Sequence, residues 1–433
     1  MMSMPRIPQI WLVAGGGWIG RGLQVVAQLA AVRILTDSLG TAGYGVFAVL
    51  GSLAGWFLLS DFSIAISLQN HISERRATDQ DAEDIIYTAT ILSAAAAGIT
   101  ALVMLLLGPW LSRLLLDEFS FLTAAQRTLA FYAMALPGIG TALGGVVYKI
   151  WFAQHRGYLS NLMPAAGTLL GTLAVWLVAL GDTQPRLAWS VLLYYAPLAV
   201  LPIVALIRTA HRTRRHRFRT DLARPLLHRA SRFWVFGLLA AGVLQVDYII
   251  MAQVLPPRDI VVYNIASKLF LLVFFVYNAL LLALWPVCSE AIAQGQWPRV
   301  FVMIRRYLMI GTAFTLASGV GIALFNGWIV RIIAPSLATP LPLVIVMLLT
   351  IYIMVRVWTD TFAMILQSMN DLSIFWIVVP IQSLLSIGLQ TLGARWFGLP
   401  GMIVGLTLCF VLTVAWVLPL RCLFHARRAA AST

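Results

Sequence analysis

Charged side chains are scarce in this sequence. Asp, Glu, Lys and Arg make up 11% of 433 residues, against roughly a quarter in soluble proteins. Cysteine is scarce too: Cys288, Cys409 and Cys422 lie in or beside apolar runs, with neither a partner pattern nor metal-ligand spacing, and read as structural bystanders. The chain has no G-x4-GK-[ST] loop to cradle nucleotide phosphates, so an ATP-driven pump would need a partner ATPase. Its first residues, MMSMPRIPQIWLVAGGGWIG, begin like a signal peptide. The apolar run continues to Leu35 without an A-x-A-like cleavage site, however, and reads as a retained membrane helix. No metal and no cofactor is expected.

What is present is hydrocarbon. Hydrophobic residues reach 61% and mean hydropathy is +0.88, which defines an all-α polytopic membrane protein. At about 20 residues per crossing, the chain has room for about 12 transmembrane helices and no sizeable domain outside the bilayer. The apolar runs start near Ile10, Tyr44, Ile85, Ala124, Ser160 and Leu187, and again near Phe233, Ile260, Tyr307, Leu341, Ile374 and Met402. Gly108-Pro109 is expected to stop the third run, leaving a mixed loop to Thr123. Pro137, Pro164, Pro286 and Pro380 are expected kinks.

The net charge of +14 must sit in connectors, and nine arginines cluster between Arg208 and Arg232. Alone, that run suggests a nucleic-acid patch. In a membrane chain it reads instead as a cytoplasmic loop, because short cytoplasmic connectors retain Lys and Arg. With both termini inside, twenty basic residues fall on the cytoplasmic side and seven on the other; Arg21, Lys268 and Arg356 remain within spans. Nucleic acid is therefore not an expected partner, and anionic lipid at 208–232 is.

The two halves echo each other. Tyr44 aligns with Tyr263, Glu74 with Glu290 and Gln154 with Gln367, at offsets of 219, 216 and 213. The expected organisation is an N-terminal six-helix half at 1–207, a basic cytoplasmic linker at 208–232 and a C-terminal six-helix half at 233–433. Two six-helix bundles that both start inside form a parallel repeat, an architecture that usually holds a central cavity and works by rocking.

These halves carry further marks: LG-x3-YG-x2-A before the second span, SDFSIAISLQ at its end, D-x15-Y-x4-K from Asp247 to Lys268, and P-x2-SE-x2-A-x-G from Pro286 to Gly295. Together they resemble the Wzx-like polysaccharide exporters, relatives of the multidrug and toxin extruders and of the lipid II flippases. The resemblance covers nearly the whole chain. It implies a multi-pass protein of the bacterial inner (cytoplasmic) membrane that moves polyprenyl-diphosphate-linked oligosaccharide from the cytoplasmic to the periplasmic leaflet by alternating access. Polysaccharide polymerase machinery is an implied partner.

Charges inside spans are expensive and tend to mark pathways or pairs. Gly17, Arg21, Gln24 and Gln28 follow one another at helical spacing and form one polar stripe on the first span. Arg21 suits a phosphate held bidentately, with the glutamines on sugar hydroxyls; the alternative is a buried arginine bonded to a carboxylate or carbonyls. Asn264, Lys268, Phe275 and Asn278 share a face of the eighth span. Lys268 lies at a similar depth to Asp247, so two readings stand. They form a simple ion pair, or Lys268 binds the diphosphate while Asp247 takes a coupling ion or steadies the lysine. Arg356 and Asp360 are four apart and favour a local pair. Asp61 is a candidate at the cytoplasmic entrance.

Three basic and three acidic intramembrane residues sum to zero. A positive excess remains only if Arg356 cancels Asp360 and Asp61 is solvated from inside. A cation-coupled multidrug extruder is the alternative function; it wants a carboxylate in its cavity and no basic residue facing it, so Asp247 fits and Arg21 and Lys268 do not. A membrane glycosyltransferase, polymerase or ligase would need a catalytic loop outside. The longest outer connector is about the sixteen residues from Gly108 to Thr123, and none of the six histidines lies on that side.

Overall fold

The computed structural model describes residues 9–77, 80–154, 156–181, 186–212, 217–337, 339–369, 371 and 373–431. Arg6, Arg214, Arg215 and His216, all expected on the cytoplasmic side, lie outside the described residues, as do the two extreme termini. The described chain is helical and without strands: α1 Gln9–Phe57, a 3-10 turn Leu58–Asp61, α2 Ile64–Ala77, α3 Glu83–Leu116, α4 Ala124–Ala153, α5 Gly157–Leu180, α6 Arg186–Arg212 and α7 Thr220–Leu244, followed by α8 Asp247–Val254, α9 Pro257–Ala293, α10 Trp297–Leu324, α11 Asn326–Ile333, a 3-10 turn Pro335–Leu337, α12 Leu343–Ser368, α13 Phe375–Leu412 and α14 Val414–Ala431.

Among the described residues, nine helices are long and apolar enough to cross a membrane, or ten if the broken pair α7 and α8 counts as one. The protein is thus a multi-pass membrane protein; twelve is a finer count than this. Two of these spans are interrupted. α1 has 49 residues, about 74 Å of helix against a hydrocarbon core of about 30 Å, and Gly40 breaks it with φ of 71°. Gly398 breaks α13 in the same way with φ of 64°. Only glycine takes such values without strain.

The expected proline kinks do not mark the ends of helices. Pro137, Pro164, Pro286 and Pro380 all lie inside helices that continue past them. The expected stop at Gly108-Pro109 is overturned: α3 runs through Pro109 to Leu116. Pro109 cannot donate to the Leu105 carbonyl four residues back. The Tyr132 hydroxyl of α4 donates to that carbonyl instead, at 2.8 Å. Gly108 makes room for it, because a side chain there would collide with the Tyr132 ring. α4 then starts on a capping box, with Gln126 N donating to Thr123 Oγ1 and Thr123 N donating to Gln126 Oε1.

The chain forms two compact units, Met1–Ala241 and Gly242–Thr433. In the first, α1 lies against α5 and α4 against α6. One hydrophobic core of it gathers Ile64, Leu68 and Ile72 of α2, Ile85 and Ile86 of α3, Val146 and Ile150 of α4, and Leu226 and Ala230 of α7. The described part of the basic linker is therefore largely helical, made of the end of α6 and the start of α7. It is bonded to unit 1: Ser67 Oγ donates to Leu226 O at 2.9 Å, Arg229 pairs with Glu74 at 2.8 Å, and Arg219 bridges Asp221 and Asp84 at 2.6 and 3.4 Å. Arg219 and Asp221 are exposed, and their mutual hydrogen bonds push the pKa of the guanidinium up and that of the carboxyl down. In the second unit α12 is central, packed by α9, α10, α13 and α14. The three cysteines are free and buried.

Candidate functional site

In unit 1 the α1 stripe runs beside the face that packs on α5. A side chain at Gly20 would collide with Asn161 O, and Thr172 Oγ1 donates to Ala27 O at 3.1 Å. That contact leaves Arg21 exposed, with Gln24 and Gln28 half-buried along the neighbouring edge.

Asp61 sits where a helix breaks. Phe62 and Ser63 both take left-handed φ, 51° and 58°, between the 3-10 turn and α2. Such a break exposes backbone donors, and the Asp61 carboxylate accepts two of them, from Ser63 N at 2.8 Å and Ala65 N at 3.0 Å. Trp234 covers the other side, with Nε1 donating to Leu59 O at 3.0 Å and its ring 5.1 Å from Phe62. The charge facing Asp61 is Lys149, half-buried near the end of α4 and close enough to interact electrostatically. Sequence reasoning missed Lys149, because a lysine four residues from a helix end reads as a connector residue.

Unit 2 brings together most of the other candidates. The chain breaks at Gln245–Val246, and Asp247 opens α8, where the helix N-terminus favours negative charge. Asp247 Oδ2 accepts from the Tyr263 hydroxyl at 2.6 Å and Oδ1 from Tyr248 N at 2.9 Å. Asn264 Nδ2 donates to the Tyr248 hydroxyl at 2.6 Å, and the rings of Tyr248 and Tyr263 meet edge-on at 5.5 Å. Lys268 is half-buried one turn beyond Asn264 on α9, whereas Asn278 is exposed.

The expected local pair on α12 is formed. Arg356 Nη2 donates to Asp360 Oδ2 at 2.8 Å and Nε reaches the same oxygen at 3.3 Å. Arg356 Nη1 donates to the Tyr352 hydroxyl at 3.1 Å, and the guanidinium lies 4.7 Å from the Phe274 ring centroid and 5.1 Å from that of Phe410. Tyr352 in turn interacts electrostatically with Asp247 and Tyr263. One polar and aromatic network thus links α8, α9 and α12. The tyrosines that join it carry no charge, and no spacing singled them out beyond the D-x15-Y pattern that contains Tyr263.

No protein-family model matches the chain. A protein assigned to O-antigen export in Yersinia pseudotuberculosis is 39% identical over 420 residues, 96% of each chain. Two solved structures share the fold at low identity. The lipid II flippase MurJ, in an inward closed conformation, matches with a TM-score of 0.71 and 11% identity over 96% of this chain and 87% of that one. An inward-facing multidrug resistance MATE transporter of the MOP superfamily matches with 0.70 and 13%, over 94% and 95%. Such scores do not separate a flippase from an extruder, but the full-length identity does separate the families. The chain belongs to the Wzx-like polysaccharide exporters, the family of the O-antigen export proteins.

Proposed function

We propose that this protein is a flippase that moves a polyprenyl-diphosphate-linked oligosaccharide from the cytoplasmic to the periplasmic leaflet by alternating access, for surface polysaccharide assembly. The observation that carries the reading is the 39% identity over 96% of the chain to an O-antigen export protein. The multidrug extruder is less supported, because its likeness rests on fold alone. Taking the interruptions at Gly40 and Gly398 as turns between crossings raises ten spans to twelve and keeps both termini cytoplasmic in the inner membrane. The halves are then 1–207 and 233–433, and the basic linker 208–232 meets anionic lipid through exposed Arg217, Arg224 and Arg232. Polysaccharide polymerase machinery receives the delivered glycan.

Arg21 and Lys268 hold the diphosphate, Gln24, Gln28, Asn264 and Asn278 meet sugar hydroxyls, and Asp247 takes the coupling ion. Asp61, Arg356 and Asp360 set the local charge. Arginine's planar fork matches phosphate oxygens in pairs and lysine supplies a mobile point charge. The test is translocation of the native lipid-linked glycan in proteoliposomes. Arg21→Ala with Lys268→Ala should lower the rate at least tenfold with folding intact, and unchanged transport in that double variant sinks the assignment.

A further inference from the structure

Three connectors of unit 1 meet around a pocket of about 280 Å³. They are the Gly40 break in α1, the 117–123 connector with the start of α4, and the first turn of α6. The pocket lies at the end of α3 remote from Asp84, the residue that Arg219 of the basic linker bridges. The 34 residues of α3 put roughly 50 Å between those two ends, so this is the release side in the proposed topology.

Its lining is unlike a lipid-facing groove. Phe121 is 53% exposed at the rim and is held edge-on by buried Phe119, with ring centroids 6.3 Å apart. Ser38 Oγ is buried in the wall with no hydrogen-bond partner among the described residues. Gln126 uses its side-chain oxygen in the cap of α4, which turns its amide N–H groups to other acceptors. Arg186 Nη2 donates to Gly181 O at 3.1 Å, which steadies a guanidinium on the wall. A few converging polar groups in a concave site fix a small ligand, and a sugar ring offers what these four residues want. Its hydroxyls suit Ser38 and Gln126 and accept from the guanidinium edge of Arg186, and its face of C–H bonds lies against the negative face of the Phe121 ring. The volume suits about one pyranose.

We infer that this pocket is a release-side docking site for a single pyranose ring of the transported glycan. The inference rests on the reading that the cargo is a glycan, but it concerns residues separate from the intramembrane stripes. The test uses full-length protein in nanodiscs, with methyl glucoside, galactoside, mannoside and rhamnoside as probes, read by saturation-transfer NMR. At least one glycoside should receive saturation on its ring protons. Phe121→Ala and Arg186→Gln should each lower that signal about fivefold, near 1 kcal/mol, and Phe121→Tyr should keep it. Thermal unfolding midpoints equal to wild type keep the comparison valid, and if Phe121→Ala misfolds, Arg186→Gln and Phe121→Tyr decide. The proposal is overturned if no glycoside is saturated by wild type, or if Phe121→Ala and Arg186→Gln match wild type, which would leave Phe121 as a headgroup anchor. Glycan transport without a glycoside signal overturns the pocket alone, whereas absent transport overturns the flippase reading.

Discussion

Replacing Arg356 with leucine measures what the α12 ion pair does. The change removes two charge-assisted bonds to Asp360 at 2.8 and 3.3 Å, one bond to Tyr352 at 3.1 Å, and the stacking on Phe274 and Phe410. It also strands a carboxylate whose side chain is only 27% exposed. Breaking a buried pair from one side costs about 3–5 kcal/mol, and partial solvation of both partners favours the lower end. The expected loss is therefore about 3 kcal/mol, a factor of more than 100 in the unfolding equilibrium. Asp360→Leu should cost a similar amount. The double Arg356→Leu, Asp360→Leu variant should fall within about 1 kcal/mol of wild type, because two apolar side chains leave nothing uncompensated. Unfolding in mixed dodecyl sulfate micelles reads all three. Additive losses, or an Arg356→Leu loss below about 0.5 kcal/mol, would refute the claim that the pair is mutually satisfied. Transport by the stable double variant then divides structure from mechanism: a wild-type rate makes the pair structural.

Three further outcomes are expected. Asp371, on the connector after α12, is held well below the usual carboxylate range by Arg421 Nε at 2.7 Å, with Ser373 and His425 adding bonds. Its folded value lies below its unfolded one, so its stabilisation is present above about pH 4 and is lost only as pH falls through the folded value. Asp371→Asn should therefore be less stable than wild type at about pH 8, and the gap should shrink as pH falls below about 4; equal stability at about pH 8, or a gap undiminished below about pH 3, contradicts this. Tyr132→Phe leaves the Leu105 carbonyl without its donor beside Pro109 and should cost about 1–2 kcal/mol; chemical denaturation at wild-type stability counts against that bond. Gly171→Leu drives a side chain into the Tyr194 carbonyl of α6 and should abolish well-folded protein on size exclusion, whereas Gly98→Leu, with open space around it, should not.

The sequence made the fold class legible through hydropathy and the asymmetric distribution of arginine, because crossing a bilayer constrains composition over every twenty residues. It also made Arg356 and Asp360 legible as a pair, since four-residue spacing on a helix is a local fact. What it could not show is tertiary satisfaction. Pro109 looked like a stop because its missing donor is visible in sequence, whereas the hydroxyl of Tyr132, on the next helix, is not. Asp61 reads in sequence as a candidate at the cytoplasmic entrance, and its donors in the structure are two amides of its own chain, exposed by a left-handed break at Phe62 and Ser63 that neither residue announces.

The charge within the spans, three basic residues against three acidic on sequence alone, shifts once the structure is in view. Lys149 is not a connector residue: it lies within α4 and faces Asp61. Arg356 is matched to Asp360. The intramembrane set becomes Arg21, Lys149, Lys268 and Arg356 against Asp61, Asp247 and Asp360, an excess of one positive charge. The Asp247 carboxylate is shared by the Tyr263 hydroxyl and the Tyr248 amide, and that of Asp61 by the Ser63 and Ala65 amides, so each acid is held by donors of its own unit. The preference for a lipid-linked glycan over a cationic drug therefore rests on the full-length identity to an O-antigen export protein, and not on a count of charges.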